Sequence, residues 1–167
     1  MGSFFSPGFA LTVPPHDTQV RVEINHRQLA SHGLNMPVVI SPHGVDLSSD
    51  KATYPVVVSA HLDTGASVTS IDIDLALQLG LKPTGVSQFL TAGGPHEMPS
   101  FVIDLDFPDS SLKSVKMLPI SSCRLMYDGT DGNQVNPDNF AILIGRDILS
   151  RWNIVWNGPT STVIIND

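Results

Sequence analysis

The chain predicts an all-β fold with one or two short helices, and three observations point to it. Short runs of β-branched and aromatic residues recur along the 167 residues, 13 Gly and 13 Pro punctuate them, and the two stretches that read as helix are both brief. With 41% hydrophobic content the chain can bury one sizeable core, so a single domain is expected. Residues 1–50 read as an N-terminal extension with one or two strands packed on the same domain as residues 51–167.

From the N-terminus, residues 19–24 alternate polar and apolar and read as a half-exposed strand; residues 37–41 read as another, closed by a turn at Pro42-His43-Gly44. A near-continuous apolar strand, Val56 to Leu62, then runs into Asp63-Thr64-Gly65. Residues 72–80 read as a short helix with Asp72 as N-cap and Gly80 as stop. Residues 89–98 place Gly93-Gly94 between two strand-like runs, which suits a hairpin tip with positive φ. Residues 101–107 alternate, 108–111 form a turn and 113–120 a further strand. The segment 121–139 is rich in Gly, Asn and Asp and reads as a long loop of the kind that overhangs a cleft or stays disordered. Residues 140–149 repeat the earlier theme, an apolar strand running into Gly145 and then a helical turn, and residues 152–165 read as a closing hairpin.

Composition excludes several classes. A net charge of -7 argues against nucleic acid or an anionic membrane as partner, because both call for basic patches. No uninterrupted apolar segment is long enough to span a bilayer, and the N-terminus lacks the basic start of a signal peptide. A single cysteine, Cys123, allows no intrachain disulfide and fits a reducing compartment, so a cytoplasmic location is expected.

The apolar strand that delivers Asp63 into a tight Thr-Gly turn holds one carboxylate rigidly, as catalysis at the mouth of a cleft requires. Residues 60–66 and 143–147 together resemble the retropepsin-like aspartic proteases: the first carries the hydrophobic-hydrophobic-Asp-Thr-Gly-Ala signature, the second the hydrophobic-hydrophobic-Gly-Arg-Asp element. The resemblance spans residues 54–165 and implies a retropepsin-like acid protease barrel over 51–167. It also implies peptide hydrolysis by two carboxylates that share one proton, one accepting a proton from water and the other protonating the carbonyl oxygen. No cofactor and no metal is implied.

Two carboxylates are needed and this chain supplies one, since no second Asp-Thr-Gly or Asp-Ser-Gly occurs. The resemblance therefore implies a homodimer acting on a peptide or protein substrate, with Asp63 of each copy meeting at the two-fold axis. Carried over position by position, Asp63 is the catalytic acid/base, Thr64 joins the two active-site loops, and Gly65 lets the substrate backbone approach. Ala66 stands where pepsin-like enzymes usually have Ser. Thr69 and Arg146 tie the first loop to the late helix, and Thr91, Ala92, Gly93 and Gly94 form a flap tip. Retroviral enzymes commonly carry an acidic residue where this chain has Ser67, so the sequence leaves the partner of Arg146 unassigned.

Two other readings use the same residues. His61-Leu62-Asp63 also resembles the His-x-Asp motif of zinc exopeptidases, but that class needs adjacent Glu residues downstream and the chain has only Glu23 and Glu97. A retropepsin-like fold that serves as a silent dimerisation or peptide-binding module is the other. Inhibition by statine-type peptides as against chelators separates the three.

Overall fold

The computed structural model of the chain describes residues 9–12, 20–24, 26–44, 55–91, 94–125, 127 and 139–167. Among them, two sheets and three short helices form. In chain order the elements are β1 (Phe9–Thr12), β2 (Val20–Ile24), α1 (His26–His32), β3 (Asn35–Pro42), β4 (Val56–Leu62), β5 (Ser70–Asp72), α2 (Ile73–Gln78), β6 (Gly85–Thr91), β7 (Gly94–Asp106), β8 (Val115–Cys123), β9 (Ile142–Ile144), α3 (Arg146–Leu149), β10 (Asn153–Asn157) and β11 (Thr162–Asn166).

The larger sheet runs in the order β3-β4-β9-β5-β8-β7-β6, and β3 also pairs with β7, so its first six strands close on themselves as a barrel. Closure removes most of the open strand edge. Two of its pairings, β4–β9 and β5–β8, are parallel, and the other ladders are antiparallel. Period-2 alternation decides what fills the interior. On β7, Phe101, Ile103 and Leu105 are almost fully buried, while Val102, Asp104 and Asp106 on the other face are partly exposed. Val58 and Ala60 of β4, Ile71 of β5, Ile120 of β8, and Ile142 and Ile144 of β9 complete the core.

The smaller sheet, in the order β1-β2-β11-β10, joins strands from both ends of the chain. Val163 and Ile165 of β11 are buried in the common core. On β10, at the sheet's edge, Val155 and Trp156 are 51% and 53% exposed.

Most expected elements are present, with informative differences. Asp72 caps α2, its Oδ1 accepting from the amides of Asp74 and Leu75, and Gly80 takes the left-handed φ of +63° that ends such a helix. Helix α1 and strand β1 were not foreseen: α1 is seven residues long and Leu29 is its buried apolar residue among those whose burial is described, so it carries no helical periodicity. Strand β8 runs on to Cys123, past the expected end at Ile120, because Ser121, Ser122 and Cys123 pair in parallel with β5. The 121–139 loop is correspondingly shorter at its start. Residues 126 and 128–138 of it lie outside the described residues, as do residues 1–8.

Candidate active site

Strand β4 ends at Leu62, and the parallel register with β9 places Leu62 opposite Ile144. The two strands therefore stop side by side, and the segments that leave their ends meet. Asp63 donates its amide to the carbonyl of Ile144 at 3.0 Å, and the Arg146 amide donates to the carbonyl of Ala66 at 3.0 Å. Between these anchors the half-buried Asp63 accepts the Gly65 amide on Oδ1 at 2.7 Å. A Cβ at Gly65 would stand 3.0 Å from that same oxygen, so the position favours glycine. Thr64 and Gly65 are exposed at the tip of the turn.

The late element grips the turn from beneath. Thr69, fully buried, donates its hydroxyl to Asp147 Oδ1 at 2.8 Å and its amide to Oδ2 at 3.0 Å, and its Oγ1 accepts the Gly145 amide at 3.1 Å. Each polar group of this buried cluster thus finds a partner, as burial demands. Gly145 lies so close to the turn that a Cβ there would be 2.5 Å from the backbone carbon of Val68. Arg146 spreads its guanidinium over the turn: Nη1 donates to the carbonyls of Thr64 and Gly65 at 2.9 and 3.2 Å, and Nη2 to the Ser67 hydroxyl at 2.8 Å. The partner that the sequence left unassigned is thus a hydroxyl and two carbonyls.

The structure brings Asp63, Thr64, Gly65, Ala66, Thr69 and Arg146 into one assembly. Of the expected flap tip, Thr91 and Gly94 face each other at the end of the β6–β7 hairpin, with Gly94 at a φ of +107°, while Ala92 and Gly93 lie outside the described residues. Asp147 is the functional residue that sequence reasoning passed over. It stands in the quoted Gly-Arg-Asp element, but its partner Thr69 is 78 positions away, and the pairing of β5 with β9, Ser70 opposite Leu143, is what brings the two together.

His61, two positions before Asp63, is half-buried. Its Nδ1 lies 2.6 Å from Asn35 Oδ1, and its ring stacks on Phe140 with centroids 4.9 Å apart. Burial pushes its pKa below the ordinary histidine value, partly offset by the charge of Asp63.

A carboxylate fixed at the end of a barrel strand, with its turn fastened by both backbone and side-chain bonds to β9 and α3, is suited to proton transfer in a constant geometry. The family model described as aspartyl protease matches residues 53–148, which contain both elements. No curated protein matches the chain. Among solved structures, a retropepsin-like aspartic protease from Rickettsia conorii is similar, with a TM-score of 0.50, 16% sequence identity, and 94% of this chain and 93% of that chain covered. At that identity the likeness speaks for the fold. The family match favours carboxylate chemistry over zinc ligation by His61 and Asp63. Among the described residues no group of three or more His, Cys, Asp and Glu side chains is arranged to hold a metal ion.

Proposed function

The chain belongs to the aspartyl protease family, and on that premise we propose that it is an endopeptidase whose active site forms when two copies bring their Asp63 side chains together. One observation carries the reading: Asp63 is the single Asp of this sequence in an Asp-Thr-Gly turn, and that turn is bolted to β9 and α3. A lone carboxylate cannot both accept and donate the protons that hydrolysis requires; two that share a proton can.

In the reaction, the ionised Asp63 takes a proton from water as the water oxygen bonds to the scissile carbonyl carbon. The protonated carboxyl of the partner's Asp63 gives its proton to the carbonyl oxygen. The tetrahedral intermediate then collapses: the ionised carboxylate takes a proton from one of its two hydroxyls as the carbonyl re-forms, the carbon–nitrogen bond breaks, the leaving nitrogen takes the proton of the other carboxyl, and the pair returns to its singly protonated state. Thr64 links the two turns across the axis, Gly65 leaves room for the substrate backbone, and Thr69 and Arg146 hold the turn on α3. Ala66 supplies no hydroxyl to the ionised carboxylate, which favours an optimum in mildly acidic water over a strongly acidic one. The β6–β7 hairpin, with Thr91, Ala92, Gly93 and Gly94 at its tip, serves as the flap.

The open edge at β10, with Val155 and Trp156 exposed on it, supports contact with a second copy there. Asp63→Asn keeps the shape of the turn and removes the shared-proton chemistry. Purified Asp63→Asn protein should lose peptide cleavage by about 10³-fold or more, in line with loss of a general acid–base group. Undiminished cleavage by the variant contradicts the assignment. A statine-type peptide should inhibit the wild type and EDTA should not.

A further inference from the structure

We propose that Asp72 is a positioning residue for Asp63: it pins the far end of the stretch that begins with the active-site turn, so that the turn is held from both ends rather than at Thr69 and Arg146 alone. The inference rests on the reading of Asp63 as the catalytic acid/base and adds a second anchor for its turn.

The stretch runs from Asp63 through the turn into β5, and β5 is short. Its three residues, Ser70, Ile71 and Asp72, are all buried, but a strand of that length offers few ladder bonds. Asp72, 2% exposed, adds to them on both sides. Toward β9, its amide donates to the carbonyl of Ala141 at 2.8 Å, and the Ala141 amide donates in turn to the carbonyl of Ser59 on β4 at 2.9 Å. Toward β8, where Asp72 pairs with Cys123, its Oδ2 accepts the Leu125 amide at 2.9 Å. Its Oδ1 accepts the amides of Asp74 and Leu75 at 2.9 and 3.2 Å and so starts α2. One side chain joins the end of β5 to the chain leaving β8 and to the next helix, and one amide joins it to the chain entering β9.

These bonds reach Asp63 by a short path. Strand β4 delivers Asp63 and β5 leads away from its turn, and Ala141 is bonded to both, to Ser59 of the first and to Asp72 of the second. Between the two ends, Thr69 is fixed on Asp147. A buried carboxylate that accepts three amides is a stiff junction, because each bond it gives up leaves it short of a donor away from water. The three amides divide by role: those of Asp74 and Leu75 belong to the helix cap, and that of Leu125 is the anchor to β8. With the anchor gone, β5 keeps only its backbone pairing, and the turn gains the small displacements to which proton transfer is sensitive.

The test has two arms, and both use Asn at position 72 to separate cap from anchor. Asp72→Asn keeps the shape and one acceptor oxygen, which suffices for the cap, but turns an NH2 group toward the Leu125 amide. The first arm is amide hydrogen exchange on the full chain, read relative to the slowest core amides, which report global opening. Leu125 should lose protection by ~10-fold, the scale of one hydrogen bond to a charged group; Thr69 should lose protection with it, and Leu75 should keep its own. Unchanged protection at Leu125 overturns the proposal, and so does a loss confined to Leu125, since the two ends of the stretch are then independent. The second arm is steady-state cleavage by Asp72→Asn and by Asp72→Ser, which also keeps a capping oxygen, at a temperature where both are fully folded. For both, kcat should fall by ~3–10-fold, given that a misplacement of about 1 Å can cost 100-fold, while KM stays nearly constant. Wild-type kcat in the variants, or a change in KM alone, overturns the proposal. Absence of cleavage by the wild type sinks the protease reading instead, and the exchange arm still decides the anchor.

Discussion

The turn that carries Asp63 and the β6–β7 hairpin both connect strands of the larger sheet, but they are held in opposite ways. The turn reaches outward: the Asp63 amide bonds to Ile144, Thr69 to Asp147 and Gly145, and Arg146 to Thr64, Gly65, Ala66 and Ser67, all across about 80 residues of chain. The hairpin is tied mostly to itself. Its strands pair from Gly85↔Ser100 to Thr91↔Gly94, Gln88 Nε2 donates to Glu97 Oε1 at 2.8 Å across them, and Val86 is 67% exposed. Outside contacts gather near its base, where Ser87 accepts from the Ser121 hydroxyl and the Pro99 carbonyl from that of Ser122. A segment held by long-range bonds opens only with the fold, whereas one held by its own ladder opens locally at low cost. On the proposed reading, the same sheet thus provides a fixed carrier for the catalytic group and a hairpin suited to movement as its cover.

Breaking the fixed side should have the largest effect on stability. Gly145→Ala forces a methyl group against the Val68 backbone, where no side chain can yield. The expected loss is about 3 kcal/mol, typical of overpacking, or a fall of roughly 6–12 °C in melting temperature for a chain of this size. A variant that melts within a degree of wild type shows that the turn can shift freely, and the contrast fails.

Removing one hydroxyl should cost less. Thr69→Val keeps the shape but leaves Asp147 Oδ1 and the Gly145 amide short of a buried partner, for about 2 kcal/mol in denaturant unfolding. Thr69→Ser, which restores the hydroxyl, should recover most of it. The hairpin should be the most tolerant: Gln88→Ala or Glu97→Ala removes an exposed cross-strand bond, and stability should stay within ~0.5 kcal/mol. Hydrogen exchange sharpens the same point, since the amides of residues 86–91 and 96–98 should exchange well before that of Thr69.

How much of this was legible in the sequence depended on the range of the interaction. The Asp72 cap and the Gly80 stop lie within one helix, and the alternation of residues 101–107 within one strand, so each carries its own signal. The Asp63 turn was legible because an apolar strand ending in Asp-Thr-Gly is a contiguous pattern. Helix α1 hid because Leu29, its one buried residue among those whose burial is described, makes no period. Strand β5 hid because three residues, all buried, alternate with nothing and are held by pairing to β8 and β9. The Thr69–Asp147 bond and the Ser67 end of Arg146 join residues 78 and 79 positions apart. Nothing local in either partner announces the other.

The claim that most needs a direct test is that two copies each contribute one Asp63. Wild-type protein should be mixed with an excess of Asp63→Asn, allowed to exchange, and assayed for peptide cleavage at constant wild-type concentration. If the site is shared, mixed pairs hold a single carboxylate and activity should fall toward zero as the excess grows. Activity that stays constant across the titration, with exchange of subunits verified, would contradict the account and require a second catalytic carboxylate within the chain.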